Sequence, residues 1–456
     1  MGIKFKYRFF TSLLFIIANF TYSNVDIERS RFKNLYYFID SDSLRNHKLI
    51  LPHRNMINFS LVRMKPSIKL YREIPDLRNN LSFFGKTKNY HFYIESIITN
   101  DFYKNHVLGS NYSRSNISGR ISNAFIKMYN KSISFQFGRS PISWGSSSRS
   151  SIITSGYQIN YDHILLQIDL SEFSYEFLTG QLGSEKTTDG EKINRYIAGH
   201  KLIWHVSNDF VLGFGEMIIY TGVNRGLDLT YLNPFVPYFF SALEGDEQTH
   251  PYDNANSMIF AYGKYGYEKN ASIFIEFIVD EYQVDNTGIE NALGIKIGLQ
   301  NEKIFFNKKI STNVQWTKID PWTYIHHGQY TSWQNKGHSL GFLYGPDAEC
   351  LQLKVIVDVF DDLFIRSEFK FLKKGTTYLD TNWNNVYGYK LDTSFDEYTL
   401  YDFSIIKMYR KTIFEAGLSY MPFSNTIAFN NNGQFPTRNS AYLQISYLLD
   451  KTISFN

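Results

Sequence analysis

The chain has one cysteine, Cys350, so no internal disulfide can staple it. Past its first two dozen residues, no apolar run approaches the eighteen or more residues of a membrane-crossing helix. Charge is nearly balanced. The formal net charge is +4, and discounting Lys4, Lys6 and Arg8 near the start leaves +1, which gives no reason to expect a nucleic-acid partner. Several enzyme signatures are missing. There is no Gly-x-Ser-x-Gly, and Trp144-Gly145-Ser146-Ser147-Ser148 lacks the second glycine of a nucleophile elbow. No phosphate-cradling glycine-rich loop precedes a helix. His326-His327 and His338 come nearest to a zinc cluster, but they have no cysteine partner, and adjacent strand residues point to opposite faces. The expectation is a non-enzyme with no cofactor and no metal.

What is present is aromatic. Phe, Tyr and Trp make up 17% of the 456 residues. An outer-membrane barrel uses such residues in its girdles and on its lipid face; a genome biased towards Phe, Tyr, Ile, Lys and Asn codons would enrich them too. Residues 1–23 read as a secretory signal: Lys4, Lys6 and Arg8, then the apolar Phe9 to Phe20, then the small residues Thr21 and Ser23. In residues 24–55, Ile27, Phe32, Leu35, Tyr36 and Ile39 follow helical spacing, which predicts a small periplasmic helical element.

From about residue 56 to 456, period-two segments recur. Leu293, Ile295, Ile297 and Leu299 oppose Gly294, Lys296 and Gln300; Ile273, Ile275, Phe277 and Val279 oppose Ser272, Glu276 and Asp280; Leu363, Ile365, Phe369 and Phe371 oppose Arg366, Glu368 and Lys370. One apolar and one mixed polar face, over strands of about ten residues, suits a barrel with lipid outside and lumen inside. A sandwich or propeller alternates likewise, but its strands are usually shorter. The stretch Arg195 to Trp204, the turn Asn208-Asp209, then Gly213 to Gly222, reads as a long hairpin. Neither of its faces is cleanly polar, so inside and outside stay open there. A loop rich in aromatics follows it.

Four segments, Phe135-Gln-Phe-Gly-Arg-Ser-Pro-Ile-Ser-Trp-Gly145, Arg195-Tyr-Ile-Ala-Gly-His-Lys-Leu202, Gly215-Glu-Met-Ile-Ile-Tyr220 and Tyr231-Leu-Asn-Pro-Phe235, carry a resemblance. So do Asp320-Pro-Trp-Thr-Tyr324, Gly337-His-Ser-Leu-Gly341 and Gly345-Pro-Asp347. Together they resemble the capsule assembly Wzi family, in its Bacteroidetes-type form. The resemblance implies an all-β, antiparallel outer-membrane β-barrel of about 18 strands with a small helical part on the periplasmic side. It also implies a surface lectin holding capsular polysaccharide, but no catalytic set.

Two long loops carry the residues suited to sugar, because flat aromatics meet C–H faces while carboxylates and amides meet hydroxyls. The glycan-binding candidates are Trp322, Tyr324, Tyr330, Trp333, Asp320, Asp347, Tyr231 and Asn233; the competing reading of the aromatics is an interfacial girdle. If the 320–347 loop leaves the outer rim, both of its tryptophans would be exposed stacking platforms. Arg139, His200 and Glu216 are candidates for a polar network inside the barrel. The expected partners are capsular or other surface polysaccharide, outer-membrane lipid and the barrel-assembly machinery, in the outer membrane of a Gram-negative cell. The alternative is a porin or transport channel.

Overall fold

A computed structural model of the chain describes residues 57–71, 74–87, 89–99, 118–146, 150–156, 159–239, 254–268, 270–281, 291–306, 308–326, 330–360, 362–381, 395–409, 412–420, 439–447 and 449–455. The expected signal segment 1–23, the helical element 24–55 and His327 lie outside these. The chain forms two compact units. One is Pro52–Lys303 with Ile310–Asn456; the other is Met1–Leu51 with Ile304–Lys309, of which only 304–306 and 308–309 are described.

In chain order the strands are β1 (Ile57–Tyr71), β2 (Ile74–Lys86), β3 (Tyr90–Thr99), β4 (Ser118–Asn130), β5 (Ile133–Ser140), β6 (Tyr161–Leu170), β7 (Phe173–Gln181), β8 (Glu185–Lys186), β9 (Lys192–His205), β10 (Phe210–Val223) and β11 (Asn254–Glu268). Then come β12 (Ala271–Glu281), β13 (Ala292–Phe305), β14 (Lys308–Ile319), β15 (Gln334–Asn335), β16 (His338–Ser339), β17 (Ala348–Phe360), β18 (Leu363–Lys374), β19 (Asp396–Tyr409), β20 (Thr412–Tyr420), β21 (Asn439–Tyr447) and β22 (Leu449–Phe455). The long strands pair antiparallel with their neighbours in sequence, and β1 pairs with β2 on one side and with β21 and β22 on the other, which closes the cylinder. Ser67 opposite Ser446 and Met64 opposite Leu449 keep one register, so β21 and β22 continue each other. With these two counted as one and the two-residue pieces left out, the 22 elements give 18 wall strands. Between β13 and β14, Asp320 N donates to Leu293 O at 2.9 Å and Thr312 Oγ1 to Asn301 O at 3.4 Å. Among the described residues closure leaves no unpaired sheet edge, which is the condition for strands to cross a membrane.

The faces sort as the alternation requires. On β12, Ile273, Ile275 and Phe277 are exposed while Phe274, Glu276 and Ile278 are buried; on β19, Tyr401, Phe403 and Ile405 are exposed while Ser404 and Ile406 are buried. The exposed row is the outer, lipid-facing wall. The two rims differ. At one, strands are joined by tight turns such as 131–132, 171–172 and 361–362, and Lys131, Ser171 and Asp362 take the positive φ that two-residue hairpins need. At the other rim, apart from 72–73, the connections are longer: 100–117, 141–160, 182–191, 224–253, 282–291, 320–347, 375–395 and 421–438. Short periplasmic turns and long external loops are the rule for such barrels, so the long-loop rim faces outward. Phe173 stacks on Trp204 at 5.9 Å on the outer wall near the tight-turn rim, where an aromatic girdle belongs.

The largest apolar cluster lies inside the barrel. It joins inward side chains of β6 to β19, among them Leu178, Met217, Phe260, Ile278, Cys350 and Leu400, to Trp144, Ile152, Ile153, Tyr324, Trp333 and Leu340 from two long loops.

Candidate functional site

Loops 141–160 and 320–347 fold down into the lumen, and β12 is the peg on which both hang. Glu276 points inward from β12 and is fully buried. Its carboxylate accepts hydrogen bonds from Ser146 N, Ser146 Oγ and Ser151 Oγ, all at 2.9 Å, and from Ile152 N at 2.8 Å. A buried carboxylate is tolerable only when its lone pairs are met in this way. Gly145 is required beside it: at φ +131 a Cβ would stand 2.7 Å from Glu276 Oε1. Opposite Glu276 in register, Lys296 sends Nζ to Ser150 Oγ at 2.6 Å. Four residues further along β12, Asp280 Oδ2 accepts from Tyr324 N at 2.6 Å, which fixes the second loop to the same strand.

The two loops also hold each other. Tyr324 donates its hydroxyl to Ile152 O, and Trp333 donates its indole N–H to Ile153 O at 3.3 Å. Trp333 N donates to Tyr324 O at 2.7 Å. From the wall, the buried Arg195 of β9 donates to Tyr330 O at 2.7 Å and Ser332 O at 2.8 Å. Asn335 Oδ1 accepts from Gly183 N at 2.8 Å. Burial pushes the Tyr324 phenol well above its ordinary pKa. Burial, then the Arg120 charge, lowers His338 to about 4, so it is neutral at ordinary pH.

The expected exposed tryptophans are therefore corrected. Trp333 is 0% and Trp322 4% exposed; the loop that carries them turns inward, because its aromatics find more apolar contact in the lumen than above the rim. Tyr324 and Asp347 are buried too. Asp347, at φ +51, accepts from Thr377 N at 3.0 Å and braces the start of the next loop. Only Asp320 and Tyr330 of that loop's candidates stay half-exposed.

The expected interior network of Arg139, His200 and Glu216 is also corrected. All three face outward. Arg139 pairs with Asp162 at 2.6 Å on the outer wall, and Glu216 pairs with His200 at 3.0 Å four strands away. Parity decides this: on β10 the inward residues are Gly213, Gly215, Met217 and Ile219, packed against Tyr262, Phe260 and Met258 of β11, which leaves Glu216 on the other face. A carboxylate on a lipid-facing wall needs a cover, and residues 225–239 supply one. They leave the top of β10, make a one-turn helix at Leu229–Leu232 capped by Asp228, and lie against the outer wall. Glu216 accepts from Tyr238 N at 2.7 Å and Phe239 N at 3.0 Å. Tyr175 of β7 donates to Pro234 O, and its ring stacks on Phe235 at 6.1 Å. Tyr231 is buried among Tyr196, Tyr220 and Tyr238, while Asn233 is exposed and accepts from Phe235 N at 3.1 Å.

The inner wall from β17 to β20 carries a polar ladder: Gln352 to Glu368 at 2.8 Å, Lys370 to Glu368 at 2.7 Å, and Arg366 to Asp402 at 3.3 Å and Glu415 at 2.7 Å. Sequence reasoning placed Glu276, Lys296 and Asp280 on inward polar faces without assigning them a role. The available signal was a charge of each sign on neighbouring inward rows. Among the described residues no group of three or more His, Cys, Asp or Glu is placed to hold a metal ion.

No protein-family model matches the chain, and no curated protein matches it. Solved structures do. Wzi, an outer-membrane protein involved in group 1 capsule assembly in Escherichia coli and described as a carbohydrate-binding β-barrel, is 12% identical, with a TM-score of 0.59 over 92% of this chain and 89% of that one. OccD3 of Pseudomonas aeruginosa is 6% identical, with a TM-score of 0.48 over 86% of this chain and 91% of that one. OccAB4 of Acinetobacter baumannii is 8% identical, with a TM-score of 0.46 over 88% and 98%. At these identities the likeness is one of fold: this chain is an outer-membrane β-barrel.

Proposed function

We propose that the barrel binds or organises capsular or other surface polysaccharide at the cell surface and does not act as a solute pore. The observation that carries this reading is the pair of loops packed into the lumen. A diffusion pore needs a water-lined path. Here Trp144, Trp333, Tyr324, Ile152 and Ile153 form one buried apolar cluster with inner-wall residues of β6 to β19. The carbohydrate-binding description of Wzi, whose fold this chain shares, supports the same reading. In it, Tyr330 and Asp320 meet the glycan from the outer rim, and the buried Trp322, Tyr324, Trp333 and Asp347 hold that surface rigid from beneath. Outer-membrane lipid surrounds the wall, and the barrel-assembly machinery inserts it after removal of the 1–23 segment. The channel alternative draws support from the polar ladder of Glu368, Lys370 and Arg366.

The test has two arms. The intact chain in a planar bilayer should give no steady open-channel current. Polysaccharide extracted from the producing cells should be retained by the purified protein, and Tyr330→Ala with Asp320→Asn should weaken that retention without changing the heat stability of the barrel. A steady current with no glycan retention would establish the channel instead.

A further inference from the structure

The segment Leu229–Phe239 runs down the outside of a membrane barrel. We propose that it is embedded in the bilayer, with Leu229, Phe235 and Phe239 in contact with acyl chains of the outer leaflet. Three observations carry this.

The first is what it exposes. Leu229 is 81%, Phe235 79% and Phe239 44% exposed, and no residue from 229 to 239 is charged. These side chains continue the lipid-facing row of the same strands, where Phe214 and Ile259 are exposed. In water such a patch would be costly; beside lipid it extends an apolar surface that already exists.

The second is how its backbone is satisfied. Irregular backbone at membrane depth is excluded unless its polar groups find partners. Thr230 N donates to Asp228 Oδ1, and Leu232 N to Asp228 O. Asn233 N, Phe235 N and Val236 N donate within the turn that Asn233 organises. Tyr238 N and Phe239 N donate to Glu216. Pro234 and Pro237 have no N–H to satisfy. Seven of the nine N–H groups from 229 to 239 thus donate to partners within the protein, more than a loop bathed in water needs, because water would serve.

The third is what it covers. His200 and Glu216 stand on the outer wall, where a bare carboxylate would face hydrocarbon. The Tyr238 ring lies 4.8 Å from that of His200, and the Tyr175 ring 6.3 Å from it on the other side. The segment thus shields the carboxylate and its imidazole partner, and the carboxylate binds the segment's last two amides.

Spin-label accessibility tests the proposal on the full-length chain in phospholipid vesicles. In a Cys350→Ala background, nitroxides are placed at Phe235→Cys, at Leu229→Cys, at Phe277→Cys on the bare wall and at Asp189→Cys in an exposed loop. The label at 235 should collide with oxygen and be shielded from a nickel chelate, matching 277 and opposite to 189. The label at 229 gives an independent reading if the 235 variant does not insert, as judged by heat-modifiable migration. Access of the chelate at both positions would overturn the proposal by placing the segment in water. Shielding from both reagents would overturn it too, since the segment would then be covered by protein.

Discussion

Two carboxylates on opposite faces of the same wall do the same job. Glu276 faces the lumen from β12 and takes the amides of Ser146 and Ile152; Glu216 faces outward from β10 and takes the amides of Tyr238 and Phe239. Each captures a long loop that leaves the outer rim, and each has a basic partner one strand away, Lys296 for Glu276 and His200 for Glu216. The difference lies in what the captured loop meets. The inner loop brings Trp144, Ile152 and Ile153 into a core shared with ten wall strands, so its apolar side chains are spent on protein. The outer segment buries Tyr231 and Tyr238 but leaves Leu229 and Phe235 bare. A loop's composition alone does not say which way it folds. The pleat position of the acceptor does, because a shift of one residue moves a carboxylate from one face to the other.

Glu276→Ala should have the largest effect. It strips four hydrogen bonds from loop 141–160 and leaves Lys296 buried without its neighbouring charge. Removing one member of such a buried pair costs about 3–5 kcal/mol. The released loop should let current through the lumen in a planar bilayer, whereas Glu216→Ala should not. Equal, negligible conductance in both variants would mean that the inner loop stays in place without the carboxylate, through its apolar contacts and its hydrogen bonds to Lys296, Tyr324 and Trp333.

Ile365→Arg comes next and contrasts a covered charge with a bare one. Ile365 faces outward on β18, where no segment like 225–239 covers it among the described residues. A charge there should cost about 2–4 kcal/mol if the position is near the midplane. Glu368→Gln, inside the same strand's polar ladder, should cost much less by urea unfolding in vesicles. Similar losses at both positions would reverse the assigned faces.

Glu216→Ala should cost about 1–3 kcal/mol through the two amides it leaves without an acceptor. Limited proteolysis should then cut within 225–239 while the barrel stays intact. Protection equal to that of the unaltered chain would show that Tyr175, Tyr196 and Tyr220 hold the segment without the carboxylate.

Much of the wall was legible in the sequence. The alternation in β12, β13 and β18 sorted inner from outer residues as the structure has them, since the lipid-facing row is apolar and Glu276, Lys296 and Glu368 fall on the lumenal row, even though Phe274 and Ile278 blur that row on β12. The hairpin of β9 and β10 stayed unassigned for a physical reason: its inward Ile197 and Met217 meet the plug, its outward Tyr196 and Ile218 meet residues 225–239, and both faces are buried. Apolar burial on both sides erases the pattern. The candidate site was less legible. Trp322 and Trp333 in a loop of Tyr, His and amides suit a sugar platform and an inward anchor equally well, and only the Asp280 acceptor and the Ile153 carbonyl, far away in sequence, decide between them.

Trp333→Phe separates those two roles, with the smallest expected change. The substitution keeps an aromatic ring in the lumenal core and removes one hydrogen bond, the 3.3 Å contact from the indole N–H to Ile153 O. A single neutral hydrogen bond is worth about 1 kcal/mol. Heat stability should therefore fall slightly, with no current through the lumen. Trp333→Ala, which empties a fully buried ring site, should cost about 3–5 kcal/mol. If Trp333 only braces the rim from below, the retention of polysaccharide should follow stability across this pair: nearly unchanged for Phe, reduced for Ala. Sharp loss of retention in the Phe variant at nearly unchanged stability would mean that the indole itself meets sugar, and the lumen would then have to open for binding.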